Sequence, residues 1–372
     1  MKILFDFLYI VNEEPSGLKK YGFKLVEGFL IYSEIKDVSI LCDEKLYNYI
    51  SSHVEKKCNY ITIKSVEKKI MCKNYSRFRN KYPKIAEEIE KHDFVISTCA
   101  NYPLVLFSPY VKHIGVIHDL QMLKLIWKGK NVLKDIYFFF DVKRRIKKLE
   151  NIVVISRNTY NAILKFTKRH SRIIYNAVEQ ESSFMIMPKS YPFISYKIIL
   201  DVNTYYRYKN ADLLIKAFAL IHDEYPDYRL YFKGNMCKDF ERLPRLAQRL
   251  GVLDKIYFDT NNRSEEEMNW LYSNSSIFVS PSLMEGFGMT PIEAIEHGIV
   301  TFVSDIKTLK EVVKDCATFF NPYSYNELAE LLKKEIDSPT PITELNRRKN
   351  KMSETYSRKK QVLNFLNYIN SI

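Results

Sequence analysis

No run of apolar residues in this 372-residue sequence approaches the roughly 20 that a membrane-spanning helix requires, so the sequence offers no candidate span. The amino terminus, MKILFDFLYI, continues into acidic and turn-forming residues with no small-residue cleavage site, and reads as a first strand, not a signal peptide. The six cysteines (Cys42, Cys58, Cys72, Cys99, Cys237 and Cys316) form no C-x-x-C pair and have no close histidine set. Neither a zinc site nor a disulfide framework is implied, and a reducing cytoplasm is the expected home. No G-x-G-x-x-G follows the first strand, which disfavours a nicotinamide-dependent oxidoreductase. Internal repeats and low-complexity tracts are absent as well.

What is present is a globular composition, with 46% hydrophobic and 27% charged residues, at a length that suits two domains better than one. The net charge of +13 is unevenly spread. Residues 1–175 contain 32 Lys and Arg against 18 Asp and Glu, whereas residues 176–372 contain 25 against 26. Basic surface on the first half points to an anionic partner: a nucleic acid, an anionic membrane or a phosphorylated substrate.

Short apolar runs alternate with helical patterns throughout. Strands are expected at Lys2–Phe7, Ser39–Cys42, Phe94–Thr98, His113–His118, Ile152–Ser156 and Arg172–Ile174, then near 197–201, 228–233, 256–259, 277–280 and 299–304. Helices are expected near 18–33, 82–91, 158–168, 210–223, 239–250, 265–273 and 291–297. Strands alternating with helices imply two doubly wound α/β domains with parallel sheets. The expected division is 1–175, a linker over 176–196 where Pro188 and Pro192 interrupt the pattern, a second domain over 197–345, and a carboxyl-terminal helix over 346–372 that packs back on the first. Ligands of such sheets bind beyond the carboxyl ends of the strands.

One stretch stands apart: SPSLMEGFGMTPIEAIEHG, residues 280–298. Thr290, Pro291 and Glu293 have the form of a helix start, with a hydroxyl cap, proline at the first position and a glutamate reaching back. On that reading Glu293 merely caps. It leaves Glu285, Gly286 and Gly288 unexplained. A glycine-rich turn before a helix gathers backbone N–H groups at the positive end of the helix dipole, which suits phosphate, and a carboxylate there accepts from sugar hydroxyls.

These residues resemble the Glu-x7-Glu signature of family 4 retaining glycosyltransferases, which have the GT-B fold of two Rossmann-like domains facing a central cleft. RYKNADLLIKAFA (207–219), EEEMNWLYSNSSIFVSPS (265–282) and SDIKTLKEVV (304–313) resemble the segments around it. GVIHDLQ (115–121), VVISRNTYNAI (153–163), IYNAVE (174–179) and PSGLKKYGFKLVEGF (15–29) are similar to elements of mannosyltransferase-like members. The resemblance implies that Glu293 holds the nucleotide ribose and Glu285 contacts the donor sugar. It also implies that the backbone of Gly286, Phe287 and Gly288 faces sugar and diphosphate, that Lys209 pairs with the diphosphate, and that His118 lies across the cleft near the sugar. Thr204 and Gly17 fall at family loop positions. The family often has Gly-Arg where this chain has Asn203-Thr204, and Arg207 is the candidate replacement; Ala177 stands at the interdomain glycine.

The implied activity is transfer of a hexose, first of all mannose from GDP-mannose, to a lipid-linked glycan in surface polysaccharide synthesis. The first domain would bind acceptor and the second the nucleotide sugar. No cofactor and no metal are expected: the sequence has no Asp-x-Asp, and lysine with a helix N-terminus can stabilise the departing diphosphate. Lys143, Arg144, Arg145, Lys147 and Lys148 follow the aromatic run Tyr137 to Phe140, and basic residues also cluster over 68–84. As helices these could rest on an anionic membrane, placing the protein on the inner face of the cell membrane with no nucleic-acid partner. A non-catalytic module that binds a sugar nucleotide or nucleic acid is the competing reading.

Overall fold

The central strands of both halves are unbroken apolar runs, as sheets covered on both faces require. The computed structural model describes residues 1–13, 16–35, 37–54, 58–100, 108–120, 132–178 and 184–372. Residues 14 and 15 of the first loop, Gln121 and the linker residues 179–183 lie outside the described residues. The chain divides into one unit of residues 1–177 and 358–372, and a second of residues 178–357.

The first unit is built on seven strands: β1 (Lys2–Asp6), β2 (Asp37–Asp43), β3 (Asn59–Ile63), β4 (Phe94–Ser97), β5 (Lys112–Ile117), β6 (Asn151–Val154) and β7 (Arg172–Ile173). They pair in parallel in the order β3-β2-β1-β4-β5-β6-β7. The strand order reverses between β1 and β4. There Asp6 is buried and accepts from Leu8 N and Ser97 Oγ at 2.9 and 2.8 Å, closing that end of the sheet with hydrogen bonds. The basic stretch 68–84 forms parts of three short helices, 65–73, 75–81 and 83–90, and Phe78 of the second is fully buried. The carboxyl-terminal stretch is two helices, Ile342–Thr355 in the second unit and Arg358–Ile369 in the first. The latter packs on the helix Gly17–Tyr32: a Cβ on Gly28 would lie 2.9 Å from Arg358 Cγ and Val362 Cγ2, and Phe29 meets Phe365 edge-on.

The second unit is a six-stranded parallel sheet of β8 (Lys197–Val202), β9 (Tyr228–Lys233), β10 (Ile256–Asp259), β11 (Ile277–Ser280), β12 (Val300–Ser304) and β13 (Thr318–Phe320). Its order is β10-β9-β8-β11-β12-β13, with the reversal between β8 and β11. Alternate residues of β8 enter different cores. Ile199 packs with Phe218, Leu230 and Val279 on one face, and Ile198 and Leu200 pack with Tyr231, Phe278 and Ala294 on the other. Tyr191 and Phe193 join this second core, so the end of the expected linker is part of the unit.

Two turns at the carboxyl edge approach closely. A Cβ on Gly234, just after β9, would stand 1.6 Å from the carbonyl oxygen of Asn203, just after β8. Backbone cannot yield as a side chain can. Gly234→Ala is therefore expected to cost at least about 1–3 kcal/mol, read as a lower midpoint in urea unfolding. Gly17→Ala, where nothing lies within 4 Å of the added carbon, should leave the midpoint in place.

Candidate functional site

The reversal between β8 and β11 puts two loops side by side at the carboxyl edge of the second sheet, where doubly wound folds bind ligands. From β8 the chain passes Asn203 and Thr204, both half-buried, to a single 3-10 turn, Arg207–Lys209. Asn210 follows with left-handed backbone, φ 59°, a conformation asparagine tolerates, and the helix Ala211–Ala219 begins. Its side chain does not cap that helix but donates from Nδ2 to the carbonyl of Pro322 at 2.9 Å. From β11 the chain makes the turn 281–288 and enters the helix Met289–Glu296. Leu283 N donates to the carbonyl of Tyr208 at 2.8 Å, which joins the loops.

The helix starts earlier than the sequence suggests. Gly288, at φ 101°, is its N-cap, and no side chain caps it. Thr290 and Pro291 already lie within the first turn, so the expected capping box does not form. Glu293, a turn further on, is half-buried and accepts from the hydroxyl of Tyr272 at 2.9 Å. Tyr272 is itself buried in the helix Glu265–Ser273, and burial, followed by the Glu293 charge, pushes its hydroxyl well up. His297 completes this side: its ring stacks on Tyr272 at 4.9 Å, and Nδ1 bonds the Glu293 carbonyl at 2.7 Å.

Glu285 lies on the turn itself. Its Oε1 accepts from Lys209 Nζ at 2.7 Å, and both side chains are largely shielded, at 10% and 16% exposure. Thr308 Oγ1 donates to the Glu285 carbonyl at 3.0 Å and fixes the turn. Gly286 and Gly288 are buried, and Phe287 turns inward, edge-on to Tyr356 at 5.4 Å. Asp201, the last residue but one of β8, is almost wholly buried. Lys209, Glu285 and Glu293 are thus brought into one unit around one turn. Arg207 is turned aside, 76% exposed and paired with Asp239 at 3.3 Å.

His118 and Gly17 belong to the first unit. His118 follows β5 and is buried, with Nε2 donating to the carbonyl of Thr98 at 2.8 Å and its own carbonyl accepting from Thr159 Oγ1 at 3.0 Å. Tyr21 meets its ring edge-on at 4.6 Å. Burial pushes the imidazole down to about 4, so it is neutral at neutral pH, with Nδ1 left as the acceptor nitrogen. Gly17 is the exposed first residue of its helix, after the N-cap Ser16.

Asp201 and Tyr272 did not stand out in the sequence as neighbours of this turn. One interrupts an otherwise apolar strand, KIILDV, and the other sits inside an amphipathic helix. An acid in a doubly covered strand was the available signal. Among the described residues, no group of three or more His, Cys, Asp or Glu side chains is gathered as a metal site would be.

Residues 187–356, nearly the whole second unit, match the family model of glycosyl transferases group 1. The O-antigen chain mannosyltransferase RfbU of Salmonella typhimurium is 25% identical over 233 residues, which cover 62% of each chain. The serotype-specific mannosyltransferase WbdA of Escherichia coli is 27% identical over 252 residues, 63% of this chain and 30% of that one. The chain thus spans less than two thirds of either relative. The crystal structure of Anabaena HepE in complex with UDP-glucose matches over the full length of both chains, with a TM-score of 0.76 at 14% identity. Sucrose-phosphate synthase from Thermosynechococcus elongatus matches all of this chain and 98% of that one, with a TM-score of 0.72 at 15% identity. The fold, two Rossmann-like parallel-sheet units, is GT-B.

Proposed function

We propose that the protein is a retaining glycosyltransferase that moves a hexose from a nucleoside diphosphate sugar to a lipid-linked glycan, without a metal, in surface polysaccharide synthesis. The observation that carries this reading is the Lys209–Glu285 pair on a glycine-rich turn whose helix no side chain caps. Breaking an anomeric bond leaves positive charge on the sugar and negative charge on the departing diphosphate. Lys209 and the helix start would receive the diphosphate, Glu285 the sugar hydroxyls and Glu293 the ribose, with Gly286, Phe287, Gly288 and Thr204 offering backbone around them. His118, neutral and able to accept at Nδ1, is the first unit's candidate for the sugar, and Gly17 its candidate for the donor. In this reading residues 1–175 hold acceptor and 197–345 hold donor.

Mannose is the first sugar to test, because two of the relatives are mannosyltransferases by name. The solved complexes of HepE contain UDP and UDP-glucose, so UDP-sugars belong in the same assay. A cytoplasmic site on the inner membrane face is supported by the helix Val132–Lys148. Phe139 packs inward on Phe166, while Tyr137 and Phe140 stay exposed among basic side chains. Among the described residues no helix is long and apolar enough to cross a membrane.

The test is transfer from labelled GDP-mannose and UDP-glucose to lipid-linked acceptors, with the anomeric configuration of the product read by NMR. Retained configuration with one donor supports the reading; an inverted product or hydrolysis alone contradicts it. Chelator should leave the rate unchanged.

A further inference from the structure

Glu293 stands on the helix Met289–Glu296 between two fully buried neighbours, Ile292 and Ala294, and is itself only half-buried. A glutamate in such a place ordinarily keeps much of its side-chain freedom, and a ligand that takes hold of it has to remove that freedom. Here the protein has removed it beforehand, from a different helix. Tyr272, in the last turn of the helix Glu265–Ser273, donates from Oη to Glu293 Oε2 at 2.9 Å. A capping box of Ser264 and Glu267 fixes the start of that helix. The tyrosine ring, 2% exposed, is stacked on His297 at 4.9 Å and meets Phe278 at 6.0 Å, so it has little room to turn. His297 closes the arrangement: a carbonyl only accepts, so its Nδ1 donates to the Glu293 carbonyl at 2.7 Å. Backbone and carboxylate of Glu293 are thus both tied to one stacked pair of rings. Burial and the Glu293 charge keep the Tyr272 hydroxyl protonated, and its single proton is already given to Oε2.

We propose that Tyr272, held by His297, is a positioning residue that presents the Glu293 carboxylate already ordered to the ribose hydroxyls of the donor, so that the site selects its nucleotide by those hydroxyls. The inference rests on the donor-site reading above. Tyr272 acts through Glu293, since its one proton is committed to the carboxylate. With the bond in place, the ribose hydroxyls meet a fixed acceptor. Without it, the same hydroxyls have to order the side chain as they bind, which weakens a ribonucleotide by roughly two- to tenfold. A nucleotide without the 2′ and 3′ hydroxyls makes no use of the carboxylate and is indifferent to its order.

The test is calorimetric titration of the full chain and of Tyr272→Phe with GDP and UDP and with their 2′,3′-dideoxy counterparts. The unaltered protein should bind the ribonucleotide of its preferred base at least about tenfold more tightly than the dideoxy form, as hydrogen bonds to a carboxylate warrant. Tyr272→Phe should weaken the ribonucleotide by roughly two- to tenfold and leave the dideoxy form where it was. In the transfer assay the same variant should raise KM with kcat little changed, because the ribose is gripped alike in the ground and transition states. His297→Ala, which removes the stack and keeps the tyrosine, should show a smaller loss of the same selective kind, and decides the matter should Tyr272→Phe not fold. A tyrosine that merely supports the core would weaken both forms equally. Equal weakening, or a ribonucleotide affinity that does not change, overturns this inference alone. Binding of neither ribonucleotide, or no preference of the unaltered protein for the ribose hydroxyls, overturns the donor-site reading as well.

Discussion

Lys209→Met should lower kcat/KM for sugar transfer by about 10²–10³-fold while the protein stays folded. The ammonium is held 2.7 Å from Glu285, largely shielded from water, and in the proposed reaction it faces charge that appears only as the diphosphate leaves. A preorganised cation in such a place needs no reorganisation during the reaction, so its removal reaches the transition state more than the bound substrate. Arg207 should not substitute, since its side chain is exposed and already engaged with Asp239. Arg207→Ala should accordingly change the rate far less than Lys209→Met. Steady-state kinetics with the preferred donor checks both. Equal losses in the two variants would mean that the diphosphate binds at the loop and not at the lysine.

The largest effect on stability is expected at the far side of the same sheet. Asp259, at the end of β10, has no side-chain exposure and accepts from Tyr231 Oη and Arg263 Nε, both at 2.7 Å, and from Asn261 N at 3.0 Å. Burial alone would raise its acid, but the hydrogen bonds from Arg263, Tyr231 and Asn261 hold it below the usual carboxylate value. Arg263 extends the network to Glu267 and Ser190, and Lys233, buried at the end of β9, draws on the same charge. Asp259→Leu would leave two buried cations with only Glu267 between them. Removing one partner of a buried pair costs about 3–5 kcal/mol, which for a unit of this size lowers the melting temperature by roughly 10 °C. Arg263→Met should cost less, because Asp259 keeps the hydrogen bonds from Tyr231 Oη and from Asn261 N and Nδ2. Chemical denaturation of the two variants gives the order directly, and a larger loss in Arg263→Met would show that the arginine's reach to Ser190 and Glu267 outweighs the acid.

The strands legible in the sequence were those with unbroken apolar runs, such as Ile3–Phe5 and Phe278–Val279, because a strand covered on both faces has no reason to alternate. The two that escaped, β3 and β13, are both sheet edges. Asn59-Tyr60-Ile61-Thr62-Ile63 is half polar and largely uncovered, and Thr318–Phe320 is only three residues long. Edge strands need less apolar sequence, and so show less. Around the candidate turn, Glu285 and Lys209 stood out because they sit beside a glycine and a helix start, and Glu293 because it follows Thr290-Pro291 in the form of a helix start. The start of the helix at Gly288 was hidden behind Thr290-Pro291, which has the form of a cap but lies inside the first turn. A left-handed glycine leaves no side-chain signature, and the Tyr272–Glu293 bond joins residues twenty-one apart that only the fold brings together.

The most direct measurement is thermal unfolding of the protein and of Glu293→Ala with GDP, UDP, dTDP, CDP and ADP in parallel. A ligand that binds only the folded state raises the midpoint, by an amount worth about 2.7 kcal/mol at a hundredfold excess over Kd. The account predicts that one nucleotide raises it in the unaltered protein and not in the variant. No rise with any nucleotide, or an equal rise in both proteins, would contradict a nucleotide site at the turn between Ser280 and Glu293.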